Sequence, residues 1–360
     1  MTLGVITDAS GSSGSNTSMS EAANRWVNYT NGHGGIHGRP VKVIVKDSGN
    51  NAATALQDAK ELVEQDKVVA IGDDTFVNSA YEKYVDGKHI PVISMGAGLT
   101  TFTYVEDANF FSPTVNAISV LWGLSKAAAL LGKQKFGYLY CAEVTACAQS
   151  APLIEGLVKS VNVSMAYSAG FSASAPNYTA QCLAAKDAGT DALLAAGSIP
   201  AADQRVYDDC SRQGYQPLAV LALGAISPAI FHDSQIPLAV SISGVQPWFE
   251  NQGPTFAAMH STMDDYLQQK STTPPLVTNH WVGLEMFKQA ADAAAPGSAV
   301  TTADIYRGLY AMKDETLGGA VPPFTIVAGK PTSAKCLYAY QSSKGKLSTL
   351  NDDKPICQTG

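Results

Sequence analysis

The sequence predicts an α/β protein of two lobes, each a doubly wound sandwich on a parallel sheet. Three observations predict it. Short β-branched runs alternate with stretches of helical periodicity. That alternation restarts near Phe136. The 360 residues are enough for two domains at about 150 residues each.

In the first half we read strands at Leu3–Thr7, Val41–Lys46, Val68–Gly72 and Pro91–Ser94. Helices are expected at Ser18–Asn31, Ala52–Gln65, Ser79–Gly87 and Ala117–Leu131. The second set has strands at Phe136–Tyr140, Ser164–Ser168, Ala192–Ala195, Ala219–Leu223 and Val240–Ser243. Helices near Ala148–Val161, Asn177–Ala188 and Ala201–Gln213 separate them. After Trp248 the pattern turns helical, at Pro254–Lys270, Val277–Ala295 and Thr302–Met312. Three helices without strands cannot make a new α/β lobe, so they are expected to cover the first sheet. Phe324–Val327 and Cys336–Gln341 read as β-like.

Hydrophobic residues make up 46% of the chain and charged residues 15%, a globular composition. The net charge is -7, and the 24 Lys and Arg are scattered, so no track for nucleic acid is expected. No apolar run approaches the roughly 18 residues of a membrane span. Met1 stands almost directly before the first strand. We therefore expect an engineered start on a mature domain, with its export signal removed.

Six cysteines are present: Cys141, Cys147, Cys182, Cys210, Cys336 and Cys357. No CxxC pair occurs, which argues against redox or zinc work. Six cysteines allow about 15 pairings. The simplest joins nearest neighbours: Cys141–Cys147, Cys182–Cys210 and Cys336–Cys357. The alternative is a set of buried free thiols.

Catalytic patterns are missing. The histidines (33, 37, 89, 232, 260 and 280) show no HExxH spacing. His33 and His37 sit in a glycine-rich surface turn. Gly96-x-Gly98 lacks the third glycine of a dinucleotide fingerprint, since Thr101 stands there, and no Walker lysine follows Gly11–Ser15. There is no GxSxG elbow. Ser79 and Lys83 miss the SxxK spacing, and Ser343 with Lys346 matches it only in a polar tail. Asp208–Asp209 and Asp264–Asp265 read as solvated charge on helix faces. Asp73–Asp74 lies in a predicted ligand loop. Neither a metal nor a cofactor is expected.

Ligands of open parallel sheets lie beyond the carboxyl ends of the strands. The loops in question are Asp8–Ser15, Asp73–Asn78, Met95–Thr101, Cys141–Cys147, Gly197–Pro200, Gly224–Ser227 and Gln246–Phe249. Small polar residues there suit a carboxylate or amide, and Phe76, Trp248 and Phe249 suit an apolar or ring-bearing one.

The stretch Asn31-Gly-His-Gly-Gly-Ile-His-Gly-Arg-Pro-Val41 leads through Val43–Asp47 and Ala59–Leu62 to Asp66–Gly72. Ile90–Ser94, Phe110–Pro113 and Leu317-Gly318-Gly319-x-x-Pro322-Pro323 follow in order. Together these resemble the amino-acid/amide, or branched-chain amino acid, solute-binding proteins of ABC importers, with the type I periplasmic-binding fold. The resemblance implies three crossovers, near Thr114–Ala117, Gln246–Asn251 and Lys330–Lys335, and a hinge that closes a cleft on ligand. It divides the chain into lobe 1 (1–116 and 250–331) and lobe 2 (117–249 and 332–360).

In relatives that bind amino acids, small polar residues after the third and fourth strands hold the ligand carboxylate. The matching positions are Thr75, Phe76 and Val77, then Gly96, Ala97 and Gly98. Ser12, Ser13 and Trp248 are further candidates. The second lobe's matching places hold Thr145–Ala146 and Ser198, which are not aromatic. The relatives' acid for the ligand ammonium should follow the second lobe's fourth strand, where Ala222-Leu223-Gly224-Ala225 stands instead. An unpaired buried ammonium costs several kcal/mol. Either Glu143 or Asp74 replaces that acid, or the ligand is a small carboxylate or amide without an ammonium, aromatic or branched aliphatic.

The resemblance further implies a monomer, periplasmic or extracellular, free or lipid-anchored. It would deliver solute to a membrane permease and would not be an enzyme. A ligand sensor feeding a regulator and an α/β enzyme are the other two readings.

Overall fold

Alternation of buried side chains builds the first sheet. β1 (Thr2–Thr7) buries Leu3 and Val5 on one face and Ile6 on the other. A computed structural model describes the chain except for residues 11–16, 143–144, 198–199, 223–229, 231–232, 250–252, 270–273, 296–297, 333 and 359–360. β1 pairs in parallel with β2 (Lys42–Asp47) and β3 (Ala70–Asp74), placing Val5 opposite Val45 and Gly72. β4 (Val92–Ser94) and the short edge strand β5 (Phe110–Phe111) complete the order β2-β1-β3-β4-β5.

Helices α1 (Ser18–Gly32) and α2 (Ala52–Glu64) connect the first three strands. Asn51 caps α2 by accepting from Ala53 N and Thr54 N, which satisfies donors that a first turn leaves over. Between α1 and β2, Gly35 has φ +67° and a Cβ there would strike the Arg39 carbonyl, so only glycine fits this turn. The expected helix at 79–87 is split. A 3-10 turn at Asn78–Ala80 precedes α3 (Glu82–Lys88). α4 (Thr103–Glu106) leads into β5.

α9 (Pro254–Gln269), α10 (Pro274–Ala291) and α11 (Thr302–Ala311) return to this sheet, as three strandless helices must. α10 packs on α1, β3 and β4. The approach is close enough that a Cβ on Gly283 would enter the Ser94 carbonyl and Met95. Phe324–Val327 is not a strand. Phe324 only exchanges backbone bonds with Glu315, and the preceding Pro322 and Pro323 have no N–H for a ladder.

The second sheet runs β12-β11-β10-β9-β8-β6-β7. β6 (Lys135–Cys141), β7 (Ser164–Phe171), β8 (Ala192–Ala196), β9 (Leu218–Leu221) and β10 (Leu238–Ser243) are parallel. Helix α5 (Ala117–Leu130) leads into β6, and α6 (Thr145–Ser160), α7 (Thr179–Asp187) and α8 (Pro200–Arg212) connect β6 through β9. The sheet departs from parallel pairing at one edge. β11 (Cys336–Ser343) runs antiparallel to β10, and β12 (Lys346–Thr349) antiparallel to β11. The hairpin turn is Lys344-Gly345, with φ +50° and +73°. Lysine in the left-handed region is not an Asn-Gly signal, so the turn is hidden in sequence. β13 (Ile356–Cys357) also pairs with β11.

The chain forms two compact units: 1–117, 244–337 and 357–360, and 118–243 with 338–356. Residues 244–249 and 332–337, read from sequence as lobe 2, lie in the first unit. Gln246 N donates to Ala320 O, and a Cβ on Gly244 would press on Thr114. The chain thus passes between units four times, because its tail returns to the first.

The cysteines pair as nearest neighbours: Cys141–Cys147, Cys182–Cys210 and Cys336–Cys357. Cys182–Cys210 ties α7 to α8 across a sequence separation of 28. Replacing both cysteines by alanine is expected to lower the unfolding free energy by about 3 kcal/mol through a less constrained unfolded chain. Urea unfolding checks it, and coincident midpoints for the two proteins would exclude a stabilising bridge.

Candidate functional site

The carboxyl edge of the first sheet is assembled from the ends of β1, β2, β3 and β4. Asp8 follows β1 and is 8% exposed. Its Oδ1 accepts from Ser48 Oγ at 2.5 Å, Thr75 Oγ1 at 2.8 Å and Asn50 N at 2.9 Å. Its Oδ2 accepts from Phe76 N at 2.9 Å. One carboxylate therefore fastens three connecting segments together. Sequence reasoning named the loop from Asp8 but not Asp8 itself. The available signal was an acid placed directly at the end of the first strand.

Of the positions after β3, Thr75 is buried and directs its hydroxyl to Asp8, while its N donates to Asp73 Oδ1 at 3.2 Å. Val77 N donates to Thr75 Oγ1 at 3.3 Å. Phe76 differs. Its backbone is held by Asp8, yet its ring is 57% exposed, an unusual position for a large apolar side chain.

Asp73 and Asp74 are the last residues of β3 and not part of a loop. Because neighbours on a strand face opposite ways, they have unlike surroundings. Asp73 is fully buried. Tyr81 OH (2.7 Å) donates to its Oδ1, and Asn78 Nδ2 (2.7 Å) and Tyr104 OH (2.9 Å) donate to its Oδ2. Burial pushes its pKa up to about 6 against these donors. Asp73 is a core hub with no path to a ligand, and Tyr104 belongs to that hub.

Asp74 Oδ2 accepts from Thr7 Oγ1 at 2.8 Å, and its Oδ1 lies 3.7 Å from His280 Nδ1. Burial raises its pKa, and His280 opposes the rise. His280 Nε2 is 3.0 Å from Ser18 Oγ, so a Ser–His–Asp sequence of groups is present. It is not a nucleophilic set. Ser18 and His280 are buried at 0% and 1% exposure. His280 Nδ1 is 2.6 Å from the Met95 carbonyl, and 3.7 Å is too long for a bond to Asp74. The histidine instead pins α1 and α10 to the end of β4.

After β4, Ser94 Oγ accepts from Gly96 N at 3.1 Å and Gly98 N at 2.9 Å. Gly96 has φ +143°, and a Cβ on Gly98 would lie 2.7 Å from Ser112 Oγ. The Ala97 carbonyl accepts from Thr100 and Thr101. The Ala97 N–H has no acceptor among the described residues. Trp248, in the same unit, meets Phe249 edge-on at 5.2 Å, and both are half-buried.

Ser12, Ser13, Glu143, Ser198 and Leu223 lie outside the described residues. Thr145 opens α6, beside the Cys141–Cys147 bridge, and its side chain is not described. The second unit holds an acid that sequence reasoning missed. Asp203 on α8 is 3% exposed, and its Oδ1 accepts from Gly197 N at 2.7 Å beyond the end of β8. Burial pushes its pKa up to about 8. Its neighbours on α8 also need correction. Asp209 is not solvated. It is buried and accepts from Tyr178 N at 2.6 Å. Asp265, in contrast, is exposed and pairs with Arg25.

Among the described residues, no group of three His, Cys, Asp or Glu could hold a metal. No described helix is long and apolar enough to cross a membrane.

Two parallel α/β units, each assembled from separated stretches of one chain, with strand ends lined by small polar residues, define the type I periplasmic-binding class. The family model described as Periplasmic binding protein matches residues 1–346, and the chain belongs to that family. Solved structures agree in fold. The branched-chain amino acid transporter substrate binding protein LivJ of Streptococcus pneumoniae, in complex with isoleucine, is 18% identical with a TM-score of 0.77, covering 99% of each chain. A fatty acid ABC transporter substrate-binding protein of Thermomonospora curvata is 17% identical with a TM-score of 0.76, covering 99% of this chain and 92% of its own. A solute binding protein of Rhodopseudomonas palustris in complex with 4-hydroxybenzoate is 14% identical with a TM-score of 0.75, covering 99% and 96%. No curated protein matches the chain.

Proposed function

We propose that this chain is the periplasmic or extracellular solute-binding component of an ABC importer. Its cargo is a small organic carboxylate or amide with an aromatic or branched aliphatic body, delivered unchanged to a membrane permease. The observation that carries the reading is Phe76, a ring held out into solvent by a backbone bond to Asp8. Ala97 on the neighbouring turn supplies an uncommitted N–H suited to a carboxylate or amide oxygen. The named relatives support the class. Isoleucine, a fatty acid and 4-hydroxybenzoate share a carboxylate and an apolar body, whereas only isoleucine has an ammonium. Asp74 is the acid of the first unit that would serve an ammonium. Its commitment to Thr7 favours a ligand without one.

A thermal-shift panel of amino acids, amides, aromatic acids and keto acids tests this. A ligand at 100 times its dissociation constant adds about 2.7 kcal/mol to stability. No shift from any compound would end the reading. Phe76→Ala should weaken the ligand so found about tenfold or more while leaving the urea midpoint unchanged. Unchanged affinity would remove Phe76 from the site.

A further inference from the structure

The amino edge of the first sheet, opposite the strand ends described above, carries a second feature. A depression of about 520 Å³ opens there, within the first unit. It is lined by Asp86 and His89 at the end of α3, Asp107 and Asn109 just before β5, and Tyr306 and Tyr310 on α11.

Its parts are built. Asn109 N donates to Asp107 Oδ1 at 2.7 Å, and Asn109 Nδ2 donates to Ile90 O at 2.9 Å. Tyr306 OH donates to Asn109 Oδ1 at 2.5 Å. The Tyr306 and Tyr310 rings stack on each other at 5.9 Å, and each meets Phe111 edge-on. The wall is therefore a fixed pair of half-buried aromatic rings, anchored at its base.

Its charge is only partly compensated, by a hydrogen bond from Asn109 and by His89. The Asp86 carboxylate interacts with Asp107 and Asn109, and repulsion from Asp107 adds to burial in raising its pKa. Asp86 Oδ1 is buried and has no hydrogen-bond partner. A buried carboxylate oxygen without a donor is costly to keep. The adjacent cation, Lys88, is turned away. Its Nζ lies 3.3 Å from Glu64 and over the Tyr84 ring. The two acids and His89 do not converge as metal ligands, since no such trio occurs among the described residues.

We propose that this depression binds a small organic cation, a guanidinium or alkylammonium group, with Asp86 and Asp107 accepting its N–H donors and Tyr306 and Tyr310 facing its charge. Such a cation offers N–H donors to the carboxylate pair and separates two like charges. Aromatic rings add attraction for a flat or alkylated cation. The proposal does not rest on the transport reading, because it concerns the opposite edge of the sheet.

Titration of the intact protein with methylguanidinium at constant ionic strength, followed by amide NMR, tests it. The expected result is saturable shifts confined to residues 86–89, 107–109 and 306–310, with none from neutral N-methylurea. Asp86→Asn and Asp107→Asn should each weaken binding about tenfold or more, and Tyr310→Leu should weaken it less. Should a variant fold poorly, the comparison of methylguanidinium with N-methylurea on the unaltered protein decides. Shifts scattered over the surface, equal effects from both compounds, or no saturation by tens of millimolar would overturn the proposal.

Discussion

Replacing Asp73 by alanine is expected to destabilise the protein by about 3–5 kcal/mol, as breaking a buried charged network does. The carboxylate is fully buried and receives Tyr81 OH, Asn78 Nδ2, Tyr104 OH and Thr75 N. Alanine leaves two tyrosine hydroxyls and an amide without their acceptor, each costing about 1–3 kcal/mol when buried. The lost groups span the 3-10 turn after β3 and α4, so the segment carrying Thr75 and Phe76 loses its anchor as well. Asp73→Asn should cost less, since it keeps one acceptor oxygen. Urea unfolding of the two variants is the measurement. A loss below about 1 kcal/mol for alanine would show that Asp73 is not a hub.

The second large effect is a pH dependence centred on Asp203. Burial, only partly offset by the Gly197 N–H, moves its pKa from 3.8 to about 8. The folded state therefore keeps a proton that the unfolded chain releases above about pH 4. The stability from this group is complete below pH 4 and is lost as pH rises to about 8, at up to about 1.4 kcal/mol per pH unit. Asp203→Asn keeps an oxygen for Gly197 and cannot ionise. The variant and the wild type should have similar stability near pH 4. The variant should gain by several kcal/mol towards pH 8, then run level. Denaturation midpoints from pH 4 to 9 measure it, and parallel curves for the two proteins would refute the burial assignment.

Both acids show where sequence legibility ends. Asp73 and Asp74 are adjacent, and alternation alone says they face opposite sides of β3. Which one turns inward depends on Tyr81 and Tyr104, brought up by segments up to 31 residues away. Asp203 and Asp209 lie on α8, where a polar helix face normally meets water. Gly197 and Tyr178 come from other segments and make those positions interior. Asp8 is the same case at the candidate site, because its four donors come from two other segments, after β2 and after β3.

Local regularities, in contrast, were legible. The Asn31–Val41 turn, the boundaries of β1, α1 and α2, and the two rounds of strand and helix follow from spacing within a few residues. The disulfides are the nearest-neighbour set, the simplest of the pairings that cysteine order offered. The hairpin at Lys344-Gly345 escaped because lysine there adopts a backbone that its residue type does not announce.

By itself the sequence determined the class: two parallel α/β units, helices that return to the first, and strand ends furnished with small polar groups. These depend on side-chain periodicity and chain connectivity, which act over a few residues. Only the tertiary structure decided which acids are hubs, that Phe76 stays exposed while Thr75 is committed to Asp8, and that Asp86 faces Asp107 beside two tyrosines. Those outcomes depend on which distant donors reach a given oxygen, and only the packed chain sets that.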